Sequence, residues 1–173
     1  KTTNNTTETK QKIIIKTIKH VQEKITNLKL IIAPRHISRV NEICSLIKKN
    51  NLSFELFSKL TDTKKDVIIV DVFGKLQTIY SISDIVFIGG SMVNKGGQNP
   101  IEAAAYSKPI IFGKYMFNFE NESASLKNNG AFEINTKDEF FDIATKLLSD
   151  TKLRQETGKK AFEVVQNQKG AIE

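Results

Sequence analysis

The stretch 89–113, with the sequence GGSMVNKGGQNPIEAAAYSKPIIFG, places the strongest constraint on how this chain can fold. It begins at the end of an apolar run, DIVFIGG, passes through a glycine-rich loop and an alanine-rich segment, and ends in a second apolar run after Pro109. Asn99 is a good helix N-cap, and Pro100 is a good first helical residue. The stretch therefore predicts a strand, a loop, a helix and a second strand, the unit from which parallel α/β sheets are built.

The start of this predicted helix can be interpreted in two ways. The backbone N–H groups of a first helical turn behind glycines suit a phosphate or a carboxylate. Alternatively, the segment is a tight turn between strand and helix, in which the glycines serve packing alone. Glu102 favours the ligand site, because a carboxylate in the first helical turn is able to face the same cleft.

The remaining apolar segments repeat this pattern along the chain. The Thr- and Asn-rich residues 1–9 predict a flexible start, and apolar residues at alternating spacings of four and three then predict an amphipathic helix from residue 12. Those apolar residues are Ile14, Ile18, Val21, Ile25 and Leu28. Ser38 is expected to cap a second helix. Apolar runs predict strands at 28–33, 52–60, 67–70, 84–90, 109–113 and 131–135, the strand at 52–60 nearer an edge of the sheet.

Helical patterns between these runs, and two further helices that close the chain, complete the alternation. Alternating strands and helices with apolar, non-alternating strands predict an α/β fold, in which a Rossmann-like parallel sheet is sandwiched by helices. We expect one domain over residues 10–173.

Three loops at strand ends carry the candidate site. Residues 34–36, with Pro34, Arg35 and His36, follow the first strand, which we expect to be central; residues 73–75 follow the third strand, and residues 96–102 follow the fourth. Because ligands bind at the carboxyl ends of strands in open α/β sheets, we expect the three loops to meet at one edge. The guanidinium of Arg35 matches phosphate or carboxylate, although a solvated loop arginine is the alternative.

The basic charge of the chain also leaves alternatives open. Lys and Arg number 26 against 19 Asp and Glu, which gives a formal net charge of +7. The lysines are spread through the chain without interleaved aromatic residues or a helix-turn-helix signature, so we predict no nucleic-acid partner. The charge favours an anionic small substrate or an anionic lipid surface, or else reflects solvated lysines alone.

Two further observations bear on the cellular setting. No apolar run approaches the ~20 residues needed to span a membrane, and the start of the sequence carries no signal-peptide pattern. We therefore expect the chain in the cytoplasm or on a membrane face. The single cysteine, Cys44, cannot form an internal disulfide, and its apolar neighbours predict a core thiol.

Several runs resemble a known enzyme family. The run GGSMVNKGGQNPIEAAAYSKPIIFGKYMFNF resembles the C-terminal half of bacterial 3-deoxy-D-manno-octulosonic acid (Kdo) transferases, as do APRH at 33–36 and the closing LRQETGKKAFEVVQNQKGA. These enzymes transfer Kdo from CMP-Kdo to lipid A precursors in lipopolysaccharide biosynthesis. The resemblance implies the GT-B glycosyltransferase architecture of two Rossmann-like halves, with this chain as the donor-binding half, at the cytoplasmic face of the bacterial inner membrane.

The resemblance implies contacts with CMP-Kdo in the same three loops. The implied positions are Pro34, Arg35, Phe73, Gly74, Lys75, Asn99, Pro100, Ile101 and Glu102. Arg35 would pair with the phosphate or the Kdo carboxylate, the helix start at Asn99 would add N–H donors, and Glu102 would accept hydrogen bonds from ribose hydroxyls. Lys75 departs from the family pattern, since VDVFGKL stands where the family has a GDTMGEL-like run, and this reverses a charge in the site.

The resemblance also assigns functions to the other half of the enzyme. It places the general base, a Glu, in the N-terminal half, so no catalytic residue is named here and this half alone is expected to be inactive. It implies no cofactor and no metal, binding of the lipid A precursor through the N-terminal half, and room for a peripheral contact with the anionic inner membrane. Two alternatives stay open: the donor domain of another GT-B enzyme that uses a UDP- or GDP-sugar, and an inactive basic α/β binding module.

Overall fold

The computed structural model describes residues 15, 18–61 and 64–170, without the side chains of 169 and 170. The predicted flexible start at residues 1–9 lies outside the described residues, as does the predicted beginning of the first helix. The chain divides into two compact units, Lys1–Ile79 (unit 1) and Tyr80–Glu173 (unit 2). The single domain expected over residues 10–173 stays a prediction.

Unit 1 is built on a three-stranded parallel sheet. Helical residues 18–24 form α1, and the chain continues through β1 (Leu30–Ile32), α2 (Val40–Lys49), β2 (Phe54–Leu56) and β3 (Val67–Ile69). Helix α3 (Leu76–Ile82) then leads into unit 2. The strand order is β1-β3-β2, and Val67 pairs with both Leu30 and Phe54. The parallel sheet and the outer position of β2 agree with the sequence prediction, but β3 rather than β1 is the central strand.

The first helix differs from its prediction in its buried residues and in where it ends. Ile18 and Val21 are buried as predicted, but so is Ile15, which the predicted stripe does not include. The helix ends at residue 24, and Asn27 adopts a left-handed φ of 63°. Ile25 and Leu28 therefore lie beyond the helix, in the turn that leads to β1.

Two other local predictions for unit 1 are wrong. Ser38 does not cap α2, because it lies inside a 3₁₀ turn, Ile37–Arg39, and the residue before α2 is Arg39. The strand predicted at 52–60 is limited to β2, and a second 3₁₀ turn, Phe57–Lys59, follows it directly. Cys44 is half-buried and packs against the unit 1 core, so it is less enclosed than a core thiol.

Unit 2 contains a second three-stranded parallel sheet, in the order β4-β5-β6. The strands are β4 (Val86–Phe87), β5 (Ile110–Gly113) and β6 (Ala131–Ile134), and α4 (Ile101–Ala104) and α5 (Glu120–Leu126) connect them. Helices α6 (Lys137–Ser149) and α7 (Thr151–Gly170) close the described chain, as predicted. Every residue of the central strand β5 is buried.

The side chains of successive β5 residues pack in two different apolar clusters. Ile110 and Phe112 pack in a cluster that includes Ala103 of α4 and Ala161 of α7, whereas Ile111 packs in a cluster with Phe140 of α6. Successive side chains of a strand point to opposite faces, so helices cover both faces of this sheet. The predicted α/β fold with parallel strands flanked by helices is confirmed, although the described strands form two three-stranded sheets and the sequence predicted one.

Helix α7 approaches the turn after α4 very closely. A Cβ atom at Gly158 would overlap the backbone carbonyl of Ser107, and Gly158 is buried. Ser107 has a positive φ of 54°, which ends the helical region after α4. The absence of a side chain at Gly158 therefore lets α7 pack against this turn.

Candidate functional site

Two of the three predicted loops leave the same edge of the unit 1 sheet. β1 and β3 are neighbouring parallel strands, with Ile32 opposite Ile69, and the N–H of Val70 donates to the Ile32 carbonyl at 2.9 Å. Pro34 and Arg35 follow β1, and residues 73–75 follow β3. The strand register therefore brings these two loops together at the carboxyl ends of adjacent strands.

The side chains of these loops are open to solvent. Phe73 is 81% exposed, and Arg35 and Lys75 are exposed as well, whereas Pro34 is half-buried. Gly74 has a φ of 74°, a conformation that glycine adopts without strain. An exposed aromatic ring and two cationic side chains offer a stacking surface and positive charge to a planar, anionic ligand.

The carboxylate of Asp71 fixes the start of the loop that follows β3. Asp71 accepts hydrogen bonds from the backbone N–H of Ser58 at 2.9 Å and from the Ser58 hydroxyl at 2.5 Å. Burial by itself would raise the pKa of Asp71, but these hydrogen bonds outweigh it and the pKa lies below its ordinary value. Asp71 therefore stays ionised and ties the chain just before Phe73 to the segment after β2.

The glycine-rich loop of unit 2 is fixed at its first end by Ser91. The Ser91 side chain is fully buried; its hydroxyl donates to the Ile88 carbonyl at 2.6 Å and accepts from the Gly113 N–H at 2.8 Å. The Ser91 carbonyl also accepts from the N–H of Tyr115 at 2.9 Å. No sequence pattern indicated this role of Ser91, because Gly113 lies 22 residues later in the chain.

At the other end of this loop Asn99 binds the helix start, but α4 begins one residue later than predicted, with Pro100 rather than Asn99 at the N-cap position. The side-chain oxygen of Asn99 accepts a hydrogen bond from the Ile101 N–H at 3.0 Å, and Pro100 has helical angles, φ −80° and ψ −20°. Helix α4 is only four residues long, however, so its dipole is small. The Ile101 N–H is already bound by Asn99, and a ligand at this helix start would have to compete for it.

Glu102 lies on α4 near a buried phenol. The Glu102 side chain is exposed, whereas Tyr80 on α3 is 9% exposed. Burial, followed by the negative charge of Glu102, raises the pKa of Tyr80 to about 12. Tyr80 therefore stays neutral at physiological pH.

The predicted site residues thus fall into two groups. Those at 34–35 and 73–75 belong to unit 1, and those at 99–102 belong to unit 2. The convergence of all three loops, and the ligand contacts of each residue, stay predictions. A depression of about 270 Å³ in unit 1 is lined by residues such as Lys29 and Asp66, which precede β1 and β3, so it lies at the opposite edge from these loops.

Two absences hold for the part of the chain that the structure describes. No group of three or more His, Cys, Asp or Glu side chains in residues 15, 18–61 and 64–170 is arranged to hold a metal ion. None of the helices within those same ranges combines the length and the apolar character that a membrane crossing requires.

Known proteins resemble both the sequence and the fold. The chain is 35% identical over 165 residues to a 3-deoxy-D-manno-octulosonic acid transferase of Haemophilus influenzae, a match that covers 93% of this chain and 39% of that protein. It is 36% identical over 158 residues to a bifunctional glycosyltransferase/methyltransferase of Fusobacterium nucleatum, with 88% of this chain and 22% of that protein covered. The chain therefore spans well under half of either relative.

The fold is similar to a solved domain. The crystal structure of the C-terminal CMP-Kdo binding domain of WaaA from Acinetobacter baumannii superposes with a TM-score of 0.83 at 23% identity, covering 91% of this chain and 83% of that domain. This likeness confirms the predicted fold, that of the C-terminal domain of a GT-B enzyme. A family model, Glycosyl transferases group 1, matches residues 5–164. Because that match covers most of the chain, the protein belongs to the glycosyl transferases group 1 family.

Proposed function

We propose that this chain is the CMP-Kdo donor-binding domain of a Kdo transferase, which moves Kdo from CMP-Kdo to a lipid A precursor. The observation that carries the proposal is the 35% identity to a Kdo transferase over 93% of the chain. The similarity to a domain described as CMP-Kdo binding supports it. The complete enzyme would act at the cytoplasmic face of the bacterial inner membrane, in lipopolysaccharide biosynthesis.

In this proposal, unit 1 holds the nucleotide's base and phosphate. The exposed ring of Phe73 offers a face on which cytosine stacks, a contact that contributes about 1–3 kcal/mol per base in single-strand binding proteins. The Arg35 guanidinium pairs with the phosphate or with the Kdo carboxylate, both of which match its fork of donors. Pro34, Gly74 and Lys75 complete these two loops, and Lys75 adds a second cation beside an anionic donor.

Unit 2 contributes the ribose contact. The exposed Glu102 carboxylate accepts hydrogen bonds from ribose hydroxyls, and Asn99, Pro100 and Ile101 form the start of α4, where the Ile101 N–H donates to Asn99. Glu102 is thus a ligand-binding group rather than the general base. The general base, the binding site for the lipid A precursor and the contact with the anionic membrane belong to the remainder of the enzyme, and this chain alone is inactive.

Calorimetric titration of CMP into the 173-residue chain tests the proposal. We expect Arg35→Ala and Glu102→Ala each to weaken CMP binding by about 1–3 kcal/mol, because each removes a charge-assisted hydrogen bond. Matched controls are Arg39→Ala, which removes an arginine that pairs with Glu42 at 3.1 Å, and Glu156→Ala, which removes an exposed glutamate on α7. Absence of CMP binding, or equal losses in the controls, would contradict the proposal.

A second candidate follows from the Fusobacterium relative, whose name describes a bifunctional glycosyltransferase/methyltransferase. The chain would then be the donor domain of another GT-B enzyme that uses a UDP- or GDP-sugar. Titrating CMP, UDP and GDP under the same conditions distinguishes the two, since the first proposal requires the tightest binding for CMP.

The non-enzymatic alternative, an inactive basic α/β module, predicts a different behaviour. Its binding to DNA or to anionic liposomes would fall steeply with salt and would not depend on Arg35. Binding of DNA and of anionic liposomes is measured at several salt concentrations, with the wild-type chain and with Arg35→Ala. Salt-dependent binding that is equal in the two proteins would favour this alternative.

A further inference from the structure

The glycine-rich loop of unit 2 is held along its length by the segment that follows β5. The backbone N–H of Asn118 donates to the Gly96 carbonyl, and the Asn118 side-chain amide donates to the Lys95 carbonyl, both at 3.1 Å. Together with the hydrogen bond from the Tyr115 N–H to the Ser91 carbonyl, these contacts fasten the loop to the segment 115–118 at Ser91 and at residues 95 and 96.

The loop approaches this segment too closely to carry side chains. A Cβ atom at Gly96 would overlap the Asn118 side chain, and a Cβ atom at Gly97 would overlap the sulfur of Met116. Both glycines have positive φ, 82° and 71°, and both are buried. The glycines therefore serve a close contact with Asn118 and Met116, and they do not leave the loop free to move.

The contact with Asn118 lies a few residues before Glu102, the proposed ribose ligand. Gly97 precedes Asn99 by two residues, and Asn99 in turn accepts from the Ile101 N–H at the start of α4, which carries Glu102. A shift of the backbone at Lys95 and Gly96 would thus be transmitted to Asn99 and Glu102. The hydrogen bonds that Asn118 donates go to Lys95 and Gly96, and its own side chain is exposed.

We propose that Asn118 is a positioning residue for the donor site: its side-chain amide holds the Lys95 carbonyl, beside the bond from its backbone N–H to Gly96, so that Asn99 keeps the start of α4 in place and Glu102 presents its carboxylate to the ribose. This inference rests on the proposed function. It assigns Asn118 no contact with the donor, and it predicts that donor affinity depends on Asn118 more strongly than global stability does.

The test compares Asn118→Ala and Asn118→Asp with a matched control, Asn129→Ala, in the full chain. Asn129 is also an exposed asparagine whose side-chain amide donates to a backbone carbonyl, that of Ser125 at 3.2 Å. Asn118→Asp keeps the shape of the side chain but replaces the amide donor by a carboxylate that faces the Lys95 carbonyl. CMP affinity, the denaturation midpoint and the hydrogen exchange of the amides of residues 95–99 are measured for each variant.

We expect both Asn118 variants to bind CMP about three- to tenfold more weakly, the effect of losing one hydrogen bond, while their denaturation midpoints match that of Asn129→Ala. Wild-type affinity in Asn118→Ala, or a loss of affinity that Asn129→Ala shares, would overturn the inference. If the wild-type chain binds no CMP, the proposed function fails and hydrogen exchange decides the positioning role. Faster exchange at residues 95–99 in the Asn118 variants only would then support it, and unchanged exchange would refute it.

Discussion

The buried hydroxyl of Ser91 accepts a hydrogen bond from the backbone N–H of Gly113 at 2.8 Å, across 22 residues of chain. The same hydroxyl donates to the Ile88 carbonyl at 2.6 Å, so a single side chain joins the end of β4 to the end of β5. A Cβ atom at Gly113 would lie 2.5 Å from the Ser91 carbonyl oxygen, which shows how closely the two backbones pack. This junction is the point at which the glycine-rich loop begins.

Replacing Ser91 by Ala should destabilise the protein. The substitution leaves the Gly113 N–H without its acceptor in a buried position, and an unsatisfied buried donor costs about 1–3 kcal/mol. Urea denaturation followed by circular dichroism measures the free energy of unfolding. Ser125→Ala is the matched control, because its hydroxyl is exposed and donates to a carbonyl within α5. Equal stability of the two variants would contradict the role assigned to Ser91.

Gly158→Ala should also lower stability, although alanine is the better helix former by about 1 kcal/mol. The added methyl group would overlap the Ser107 carbonyl, so α7 would have to move away from the turn after α4, at a cost of about 1–3 kcal/mol. Thermal unfolding measures the effect. Gly89→Ala serves as the control, since a Cβ atom there meets nothing within 4 Å. A melting temperature for Gly158→Ala at or above the wild-type value would show that the close contact does not exist.

Asp66 should make stability depend on acid pH. The Ser53 hydroxyl donates to the Asp66 carboxylate at 2.6 Å and holds its pKa below the ordinary value of 3.8. The contribution of this carboxylate to stability is therefore fully present above about pH 3.8 and is lost as the pH falls through the lowered folded pKa.

The measurement is the free energy of unfolding of the wild-type chain and of Asp66→Asn at a series of acid pH values. We expect the difference between them to shrink as the pH falls, because the variant keeps an acceptor for Ser53 but has no titrating group. Asp142→Asn, which removes an exposed carboxylate on α6, controls for the change in net charge. If the difference in free energy of unfolding between wild type and Asp66→Asn stays the same at every pH, the prediction is wrong.

The pair of Tyr80 and Glu102 predicts a titration at alkaline pH. Because burial and then the Glu102 charge raise the Tyr80 pKa to about 12, Tyr80→Phe should remove the ultraviolet absorbance change that occurs near that pH. Glu102→Gln should move this change to lower pH, since it removes a negative charge that opposes ionisation. The stabilising effect of the neutral phenol is present below its ordinary pKa of 10 and is lost as the pH rises towards 12.

Rapid mixing into alkaline buffer allows the absorbance to be read before the chain unfolds. Glu156→Gln, on α7, is the control for removal of a glutamate elsewhere. If Glu102→Gln and Glu156→Gln give the same titration, Glu102 does not act on Tyr80.

Much of the fold was predictable because it depends on local patterns. The apolar, non-alternating runs at Val67–Ile69 and Ile110–Gly113 predict strands enclosed on both faces, and both strands are fully buried. Asn99 binds the start of α4 because such a bond needs only the backbone N–H two residues later, although the N-cap position itself falls on Pro100. The ligand contacts proposed for the site residues were inferred from resemblance, and they stay predictions until CMP binding is measured.

The sequence by itself determined the alternation of strands and helices, the parallel sheets and the positions of the loops at strand ends, since periodicity and turn residues act over a few neighbours. Only the tertiary structure decided that α4 is a single turn, that Ser38 lies in a 3₁₀ turn, and that Ser91 and Asn118 hold the glycine-rich loop. The bond of Ser91 to Gly113 and that of Asn118 to Lys95 each join residues more than 20 positions apart, and such contacts exist only after the strands have paired and the helices have packed on them. Gly96, Gly97 and Gly113 lie where such long-range contacts leave no room for a Cβ atom.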